Sequence, residues 1–399
     1  HDKPSQDLAR LSWEVHNALA AELDGPNAYG WRECAAVGLA VGGHGESRSK
    51  YRSLPGAAAH RDTAARRDWL EGDREDLSTE GGVAQIDPAD FCKHLHSHLE
   101  RVYPDRFRTV FGRATSIRPP SRAGEKKSLE LARVAEGANA PRSLPFDRLL
   151  IACGPWSAAV CETLKLPPLP LTNLPGHSLL IRPASGAHTV DLPSEAVFAG
   201  IDGSVGGVHA STSGLARGLT DEEKAEGYTR SPELFVRRTR RGETRELIYV
   251  AGENSIPETP KRGGSTAAAG AGVSLAVPPL PNRLPQSVDE VRDLLDERLI
   301  GRLKRAAGAV SPLLKEENGA TIERQQFCYR PISSDREPIL GPLQLPDVFV
   351  ATGHGPWGIC LSAGTGRVMA EFLLDRPPSA DVRGLSVVRF NHQERAAKL

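Results

Sequence analysis

Apolar positions along the chain repeat at two spacings, one typical of helices and the other typical of strands. Spacings of three and four residues predict helices that begin at Gln6, Pro88 and Ser287. Their inward faces are expected to consist of Leu8, Leu11, Val15 and Leu19 in the first helix, of Phe91, Leu95, Leu99 and Val102 in the second, and of Val291, Leu294, Leu295 and Leu299 in the third. Short apolar runs that alternate with Gly and Pro between residues 170 and 260 predict a mostly antiparallel sheet.

Two further apolar runs are each followed by a glycine-containing turn and then by a helical pattern. The run 149–152 leads into the turn 154–156 and a helix, and the run 348–351 leads into the turn 353–358 and a last helix. A buried strand that ends in such a turn brings main chain to the carboxyl edge of a sheet, where the ligands of open α/β sheets bind. We expect a ligand-binding edge here, although an ordinary strand-to-helix turn explains each segment taken alone.

Three stretches interrupt the predicted helices and strands. They are a charged, irregular stretch at 42–82, a polar stretch at 119–145 and a flexible Gly-, Ala- and Pro-rich loop at 261–286. The segment 31–41, which precedes the first of them, is expected to be extended.

The composition argues against several classes of protein. The chain of 399 residues carries 50 basic and 50 acidic side chains, and this balance argues against nucleic-acid binding. No window of about 18 apolar residues occurs, so we expect no transmembrane segment. The six cysteines form no CxxC pair, which argues against a zinc site and fits reduced thiols in an intracellular, cytoplasmic protein. His94, His96 and His98 are expected to face solvent on the second helix, so no metal site is predicted.

The turn 353–358 formally matches the GxGxxG pattern of dinucleotide-binding sites. No acidic residue ends a second strand, however, and too few residues follow for a continuing βαβ array. Glycines are also what any tight strand-to-helix turn needs, so both interpretations stay open. They share one feature, a bare backbone that a planar ligand can approach, followed by the positive end of a helix.

An arginine followed by a proline marks a third candidate segment. The guanidinium group of Arg330 can bind a carboxylate through two parallel hydrogen bonds, although a surface ion pair is the commoner role of an arginine. The surrounding segment 328–341 resembles the arginine–proline, aspartate, proline and glycine segment of the D-amino-acid oxidase and glycine oxidase family. Segments 350–359 and 150–157 resemble that family's C-terminal flavin-facing segment and its alanine–glycine–x–tryptophan–serine turn. A likeness to fungal members extends to two further segments, 231–234 and 249–253.

This resemblance implies an α/β fold of two domains, an incomplete Rossmann-like FAD domain and a sheet-rich, antiparallel α+β substrate domain. It also implies FAD as the cofactor, an amine or amino acid as the substrate, hydride transfer to the flavin, and molecular oxygen as the electron acceptor. The predicted boundaries are 1–24 for a helix of the FAD domain, 25–81 for part of the substrate domain, 82–165 for part of the FAD domain, 166–330 for the substrate domain, 331–378 for the C-terminal part of the FAD domain and 379–399 for a tail.

The beginning of the chain departs from the family pattern. Family members begin with a strand, a GxGxxG turn, a helix and a second strand that ends in an acidic residue. The nearest candidate, 42–48, has Arg48 in place of the third glycine. We therefore expect the N-terminal βαβ unit, which would hold the pyrophosphate and ribose of FAD, to be missing from this chain.

The resemblance also implies roles for particular residues. Arg330 occupies the position that pairs with the substrate carboxylate, and no catalytic base is assigned, since none is needed if the amine arrives neutral. The residues expected to contact the flavin are Gly154, Trp156, Gly353, His354, Gly355, Gly358 and Ile359. Glycine oxidases carry a second arginine where this chain has Pro356 and Trp357, which implies a different substrate, such as a bulkier or secondary amine.

Three alternatives stay open at this point. Without the N-terminal cofactor clamp, the protein could be a non-catalytic relative that acts in binding or trafficking. The GxGxxG match allows a nicotinamide-dependent dehydrogenase. Cys328 lies at a place comparable to the cysteine through which sarcosine-oxidase relatives attach flavin covalently, and the competing interpretation is a buried, inert thiol. The sequence gives no indication of the oligomeric state.

Overall fold

The computed structural model describes residues 3–41, 69–78, 82–132, 143–184, 192–201, 231–237, 247–253, 284–285 and 288–390. The helices in this part of the chain are α1 (Gln6–Glu22), α2 (Gly25–Ala28), α3 (Pro88–Val102), α4 (Ser157–Thr163), α5 (Val288–Arg292), α6 (Glu297–Val310) and α7 (Gly358–Leu373). The strands are β1 (Arg32–Val41), β2 (Asp73–Asp76), β3 (Val83–Gln85), β4 (Arg113–Arg118), β5 (Lys127–Ala132), β6 (Ser143–Phe146), β7 (Leu149–Ile151), β8 (Leu171–Arg182), β9 (Glu195–Ile201), β10 (Glu233–Arg237), β11 (Leu247–Glu253), β12 (Thr321–Ser333), β13 (Ile339–Pro342) and β14 (Val348–Thr352). None of the helices described is long and apolar enough to cross a membrane.

The large sheet contains eight strands in the order β12-β8-β11-β10-β9-β1-β2, with β3 also paired to β1. Neighbouring strands are antiparallel except β1 and β9, which are parallel. Alternate residues of the strands are apolar, and their side chains pack against α6 in one core. The sheet contributes Leu179, Ile181, Val197, Leu234, Val236, Ile248 and Val250, and the helix contributes Ile300, Leu303, Ala306 and Val310. The mostly antiparallel sheet predicted between residues 170 and 260 is therefore confirmed.

The small sheet has the order β13-β14-β7, with β14 parallel to β7 and antiparallel to β13. Successive residues of β14 enter two different cores because side chains alternate between the faces of a strand. Val348 and Val350 pack with α4, whereas Phe349 packs with α1 and α7. This sheet is therefore covered on both faces, with α4 on one and α1 and α7 on the other, as expected for an α/β unit.

Helices α1 and α7 cross at very close range. A Cβ atom at Gly364 would lie only 2.8 Å from the carbonyl oxygen of Leu8, so a glycine is needed at the crossing. The Ser12 hydroxyl accepts a hydrogen bond from the Gly364 amide at 3.0 Å and donates one to the Cys360 carbonyl at 2.6 Å. Burial also lowers the pKa of His16, which contacts a carbonyl in the first turn of α7. The first predicted helix is confirmed and is fixed to α7 by polar groups.

The N-terminus of α3 is tied to the large sheet. Helix α3 begins at Pro88 as predicted, because the Asp87 side chain accepts hydrogen bonds from the amides of the first turn. The same carboxylate lies 3.2 Å from the guanidinium group of Arg237 in β10, which stacks over the Tyr249 ring at 4.4 Å. One side chain therefore both starts the helix and joins it to the sheet.

The interpretation of 119–145 as a polar excursion is wrong over part of its length. Strand β5 lies within it and is the central strand of a third sheet, β4-β5-β6, whose pairs are antiparallel. Leu129 and Leu131 alternate with Ser128 and Glu130, which is the period of a half-buried strand, and Leu129 packs against the core of the small sheet. The charged residues 121–126 form the hairpin connection rather than a longer excursion.

The prediction of one helix from Ser287 is also wrong. Helix α5 ends at Arg292, and α6 begins separately at Glu297, because Asp296 has extended backbone angles and accepts a hydrogen bond from the Arg298 amide as an N-cap. The predicted capping residue Ser287 lies outside the described residues, as do most of 42–82 and of the predicted loop 261–286.

The segment after α7 folds back onto both cores of the small sheet. Its two 3₁₀ turns span Arg383–Leu385 and Val387–Phe390. Leu385 is buried against α1 and α7, and Val387 and Phe390 are buried on the opposite face of the sheet. This segment is thus packed as far as Phe390. The domain boundaries proposed from the sequence stay predictions.

Candidate functional site

Two turns of the same sequence lie side by side at one edge of the small sheet. Strands β7 and β14 are parallel neighbours, and each leads into a 3₁₀ turn with the sequence Gly-Pro-Trp, Gly154–Trp156 and Gly355–Trp357. Helices α4 and α7 follow these turns directly. The Thr352 hydroxyl at the end of β14 donates a hydrogen bond to the Gly154 carbonyl at 3.3 Å. The structure therefore brings together the two segments that the sequence suggested separately.

Three glycines give the two turns their shape. Gly154, Gly353 and Gly355 have φ angles of +54°, +77° and +56°, a region that other residues rarely adopt. A Cβ atom at Gly154 would meet no atom within 4 Å, so open space lies in front of its backbone. Gly358 has right-handed helical angles, and its backbone gives no conformational reason for glycine. Open space in front of a bare backbone is thus found at Gly154, whereas Ile332 lies in front of Gly355.

The side chain of His354 points away from the open space and into α7. Its Nε2 lies 3.0 Å from the Thr365 hydroxyl, and burial lowers the pKa of His354 to about 4. The ring is therefore neutral at pH 7 and holds the turn against the helix without adding a charge. The prediction placed His354 at the flavin, and in this structure its backbone, rather than its ring, lines the turn.

The end of β12 reaches the same turn from the large sheet. Ile332 forms an isolated β-bridge with His354, and its Cγ1 atom lies 3.5 Å from the position of a Cβ on Gly355. Arg330 precedes Ile332 by two residues and is paired with Leu174 of β8. Because alternate residues share a face of a strand, the half-buried side chain of Arg330 lies on the same face of β12 as that of Ile332.

The two tryptophans of the repeated turns have different surroundings. The indole nitrogen of Trp156 donates a hydrogen bond to the Pro285 carbonyl at 2.9 Å. Trp357, in contrast, is 58% exposed, and Ile359 beside it is 48% exposed. The second turn therefore presents apolar surface outward, whereas the first is fixed to the rest of the molecule.

Two buried polar atoms beside the first turn have no hydrogen-bond partner among the described residues. The Asn173 side chain is 4% exposed; its amide nitrogen donates to the Pro155 carbonyl at 3.1 Å, but its Oδ1 atom is unpaired. The fully buried Ser157 hydroxyl is unpaired as well. Sequence reasoning missed both Asn173 and Thr352. A polar residue that ends an apolar strand could have revealed Thr352, but Asn173 arrives through the register of β8, which no local pattern shows.

The described residues fit the ring end of FAD. The backbone is open at Gly154, the positive end of the 16-residue helix α7 points at the turn, and the unpaired Oδ1 of Asn173 can accept a hydrogen bond. The part of the chain that the structure describes contains no strand–GxGxxG–helix–strand unit for the pyrophosphate and ribose. The fit therefore concerns the ring end only, and the flavin contacts of these residues and the loss of an N-terminal unit stay predictions.

The histidines of α3 and Cys328 were considered above for metal binding and for covalent attachment of flavin. His96 lies on the exposed face of α3, and its Nε2 is 2.7 Å from the Thr109 hydroxyl. Over the ranges described, no group of three or more His, Cys, Asp or Glu side chains could hold a metal ion. Cys328 is exposed, so the alternative of a buried thiol is wrong, and covalent attachment of flavin at this residue stays a prediction.

Known proteins share the sequence and the fold of this chain. A protein of Schizosaccharomyces pombe that is named as an oxidoreductase is 21% identical over 397 residues, which cover 94% of this chain and 80% of that protein. A D-amino acid dehydrogenase of Bradyrhizobium diazoefficiens is 41% identical over 64 residues, which cover 16% of this chain and only 15% of that protein. The crystal structure of glycine oxidase from Geobacillus kaustophilus superposes with a TM-score of 0.56 at 16% identity and covers 97% of this chain and 84% of its own, which shows a common fold.

The match to a protein family extends over most of the chain. Residues 1–372 match the family described as FAD dependent oxidoreductase, abbreviated DAO. The two-domain FAD-oxidoreductase fold expected from the sequence is thereby confirmed, together with the resemblance on which it was based. The chain belongs to the DAO family of FAD-dependent oxidoreductases, and FAD is the cofactor of that family.

Proposed function

We propose that this protein oxidises an amine or an amino acid by hydride transfer to FAD, with molecular oxygen as the electron acceptor. One observation carries the proposal: the turns 154–156 and 353–358 and the end of β12 meet at one edge of the small sheet. Family membership supports the same class of reaction. The names of similar proteins, a glycine oxidase and a D-amino acid dehydrogenase, support an amino acid or a related amine as the substrate.

Arg330 is proposed to bind the carboxylate of the substrate. Its guanidinium group can donate two parallel hydrogen bonds to a carboxylate, which fixes both the position and the orientation of the molecule. Trp357 belongs to the turn that Ile332 contacts, and its uncharged side chain is exposed. A substrate with one carboxylate and an apolar or N-substituted remainder therefore suits these residues best.

The turn 353–358 and α7 are proposed to lie against the flavin ring. Bound FAD would supply the redox chemistry, as the acceptor of a hydride from the carbon that bears the amine. The first amides of α7, from Gly358 onward, are partly positive and would stabilise negative charge at the ring. His354 stays neutral and keeps the turn fixed to Thr365. No side chain is required as a general base if the amine arrives neutral.

Flavin binding and reduction by substrate test this proposal. The full chain is titrated with FAD while flavin fluorescence is followed, and the complex is then mixed without oxygen with a panel of amino acids and secondary amines. Arg330→Lys and Arg330→Gln are expected to lower kcat/KM for substrates with a carboxylate by roughly 10- to 100-fold, mostly through KM. Arg324→Gln, which removes an exposed arginine from the same strand, is the control and should leave both constants unchanged.

The outcomes separate this proposal from its alternatives. A folded protein that binds FAD and is bleached by an amine, with hydrogen peroxide formed when air is admitted, supports it. A folded protein that binds no FAD contradicts it and favours a non-catalytic relative that acts in binding or trafficking. Binding of NADH in place of FAD would favour a nicotinamide-dependent dehydrogenase.

A further inference from the structure

The chain passes from the large sheet to the small sheet through one short segment. Strand β12 ends at Ser333 in the large sheet, and β13 begins at Ile339 in the small sheet. We call residues 333–338 the elbow. Arg330 lies three residues before the elbow, and the strand that leads into the turn 353–358 pairs directly with β13. The shape of the elbow therefore helps to set where Arg330 lies relative to that turn.

An arginine from the C-terminal segment forms hydrogen bonds with the elbow. The guanidinium group of Arg389 donates two hydrogen bonds to the Asp335 carboxylate, at 2.6 and 3.0 Å, and one to the Glu337 carbonyl at 2.9 Å. Its remaining nitrogen donates to the carbonyls of Leu385 and Ser386, and its plane lies over the Phe390 ring at 4.2 Å. The Arg389 side chain is only 16% exposed, so this ion pair is largely shielded from solvent, unlike an ordinary surface ion pair.

The contacts of Asp335 continue toward the turn 353–358. The Asp335 carboxylate also accepts a hydrogen bond from the Glu337 amide at 3.2 Å and lies 2.9 Å from the Ser333 hydroxyl. Burial alone would raise the pKa of Asp335, but the hydrogen bonds from Arg389 and the elbow outweigh burial and hold it below its ordinary value. Ser333 is itself buried, and its Cβ lies 3.5 Å from the position of a Cβ on Gly353. A continuous set of contacts thus joins Arg389 to the turn.

We propose that Arg389, acting through Asp335, is a positioning residue that fixes the elbow and thereby the distance between Arg330 and the turn 353–358. This inference rests on the proposed function, in which Arg330 holds the substrate and the turn holds the ring. A displacement of about 1 Å between reacting groups is enough to lower a rate by roughly 100-fold. The contribution of Arg389 is therefore orientation of the substrate rather than its affinity.

Hydrogen exchange tests the structural half of this inference without any turnover. Arg389→Lys keeps the positive charge but cannot form the two-pronged contact. In the free protein, the amides of Ser334 and Arg336, which are bonded within and next to the elbow, should exchange at least several-fold faster, and so should peptides that cover 352–358. Arg383→Lys is the matched control, because Arg383 makes the same two-pronged contact with Asp381 but is 91% exposed and touches no elbow residue.

The kinetics of flavin reduction test the functional half. Arg389→Lys should lower the maximal rate of reduction by about 10-fold or more and leave KM within about twofold, whereas Arg330→Lys should act mainly on KM. Asp335→Asn preserves the shape of the side chain and should reproduce the effect. The double variant should be no worse than either single variant, because both changes break the same contact.

The results distinguish failure of this inference from failure of the proposed function. Unchanged exchange at 352–358 in both Arg389→Lys and Asp335→Asn would overturn the inference, whatever the enzyme does. Faster exchange with an unchanged rate of reduction would overturn it too, since the elbow would then have only a local structural role. If no amine reduces the flavin, the proposed function fails, and the exchange rates at 352–358 still decide whether Arg389 controls the turn.

Discussion

Acidification is expected to weaken the fold through one histidine. His354 is held inside the turn 353–358, with Nε2 at 3.0 Å from the Thr365 hydroxyl and a pKa that burial lowers to about 4. An unfolded chain leaves the same ring in water, where its ordinary pKa is 6.5. Between these two values the unfolded state binds more protons than the folded state. The stabilisation is therefore complete above pH 6.5 and is lost as the pH falls toward 4.

The size of the effect follows from the two pKa values. At pH 5 the unfolded histidine is almost fully protonated, whereas the buried one is still mostly neutral. The free energy of unfolding should therefore be lower at pH 5 than at pH 8 by about 2 kcal/mol from His354 alone. For a domain with a total stability of about 5–15 kcal/mol, a loss of this size is readily measured.

The glutamine variant isolates this contribution. His354→Gln can keep a hydrogen bond to Thr365 but cannot gain a proton. Urea unfolding of the parent and the variant is followed by circular dichroism at pH 8, 7 and 5. The difference between the two proteins should stay nearly constant from pH 8 to 7 and shift by about 2 kcal/mol in favour of the variant at pH 5. The same pH dependence in both proteins would refute the argument from burial.

Three further substitutions test contacts that hold the site in place, each measured by urea unfolding at pH 8. Gly364→Ala should cost about 1–3 kcal/mol, because its Cβ would lie 2.8 Å from the backbone oxygen of Leu8. Asp87→Ala should cost about 1–2 kcal/mol through the lost N-cap and Arg237 contact. Gly353→Ala, at a φ of +77°, should cost about 1–2 kcal/mol and weaken FAD binding. An unchanged unfolding midpoint in any of them would contradict the geometry cited for it.

The features predicted correctly from the sequence are those whose signals are local. Helix α3 begins at Pro88 because the side chain of Asp87 caps it, and both residues are adjacent in the sequence. The turns 154–156 and 353–358 carry their glycines and prolines within a few positions of the strands that they end. Apolar periodicity over several turns likewise identified α1. In each case the physical cause and the sequence pattern lie within the same short window.

The features that were missed depend on residues distant in the sequence or on a pattern hidden by charge. Strand β5 was overlooked because charged residues at 121–127 mask the alternation of Leu129 and Leu131. The contact between Arg389 and Asp335 joins residues 54 positions apart. Asn173 approaches the turn 154–156 only because β8 pairs with β12 in one register. A single sequence contains no local trace of such contacts.

The two Gly-Pro-Trp turns show that local sequence determines the backbone conformation, whereas the surrounding chain determines the contacts of the side chains. The two copies adopt the same 3₁₀ turn, with nearly equal φ angles of +54° at Gly154 and +56° at Gly355, because glycine permits a positive φ and the proline that follows restricts its own φ. The tryptophans that follow are identical in chemistry, yet Trp156 is bonded to the Pro285 carbonyl and Trp357 is exposed. Local sequence thus builds the edge, whereas the neighbouring chain decides that the first tryptophan is bonded and the second is exposed. Under the proposed function, differences in substrate among relatives should therefore concentrate at positions 356 and 357.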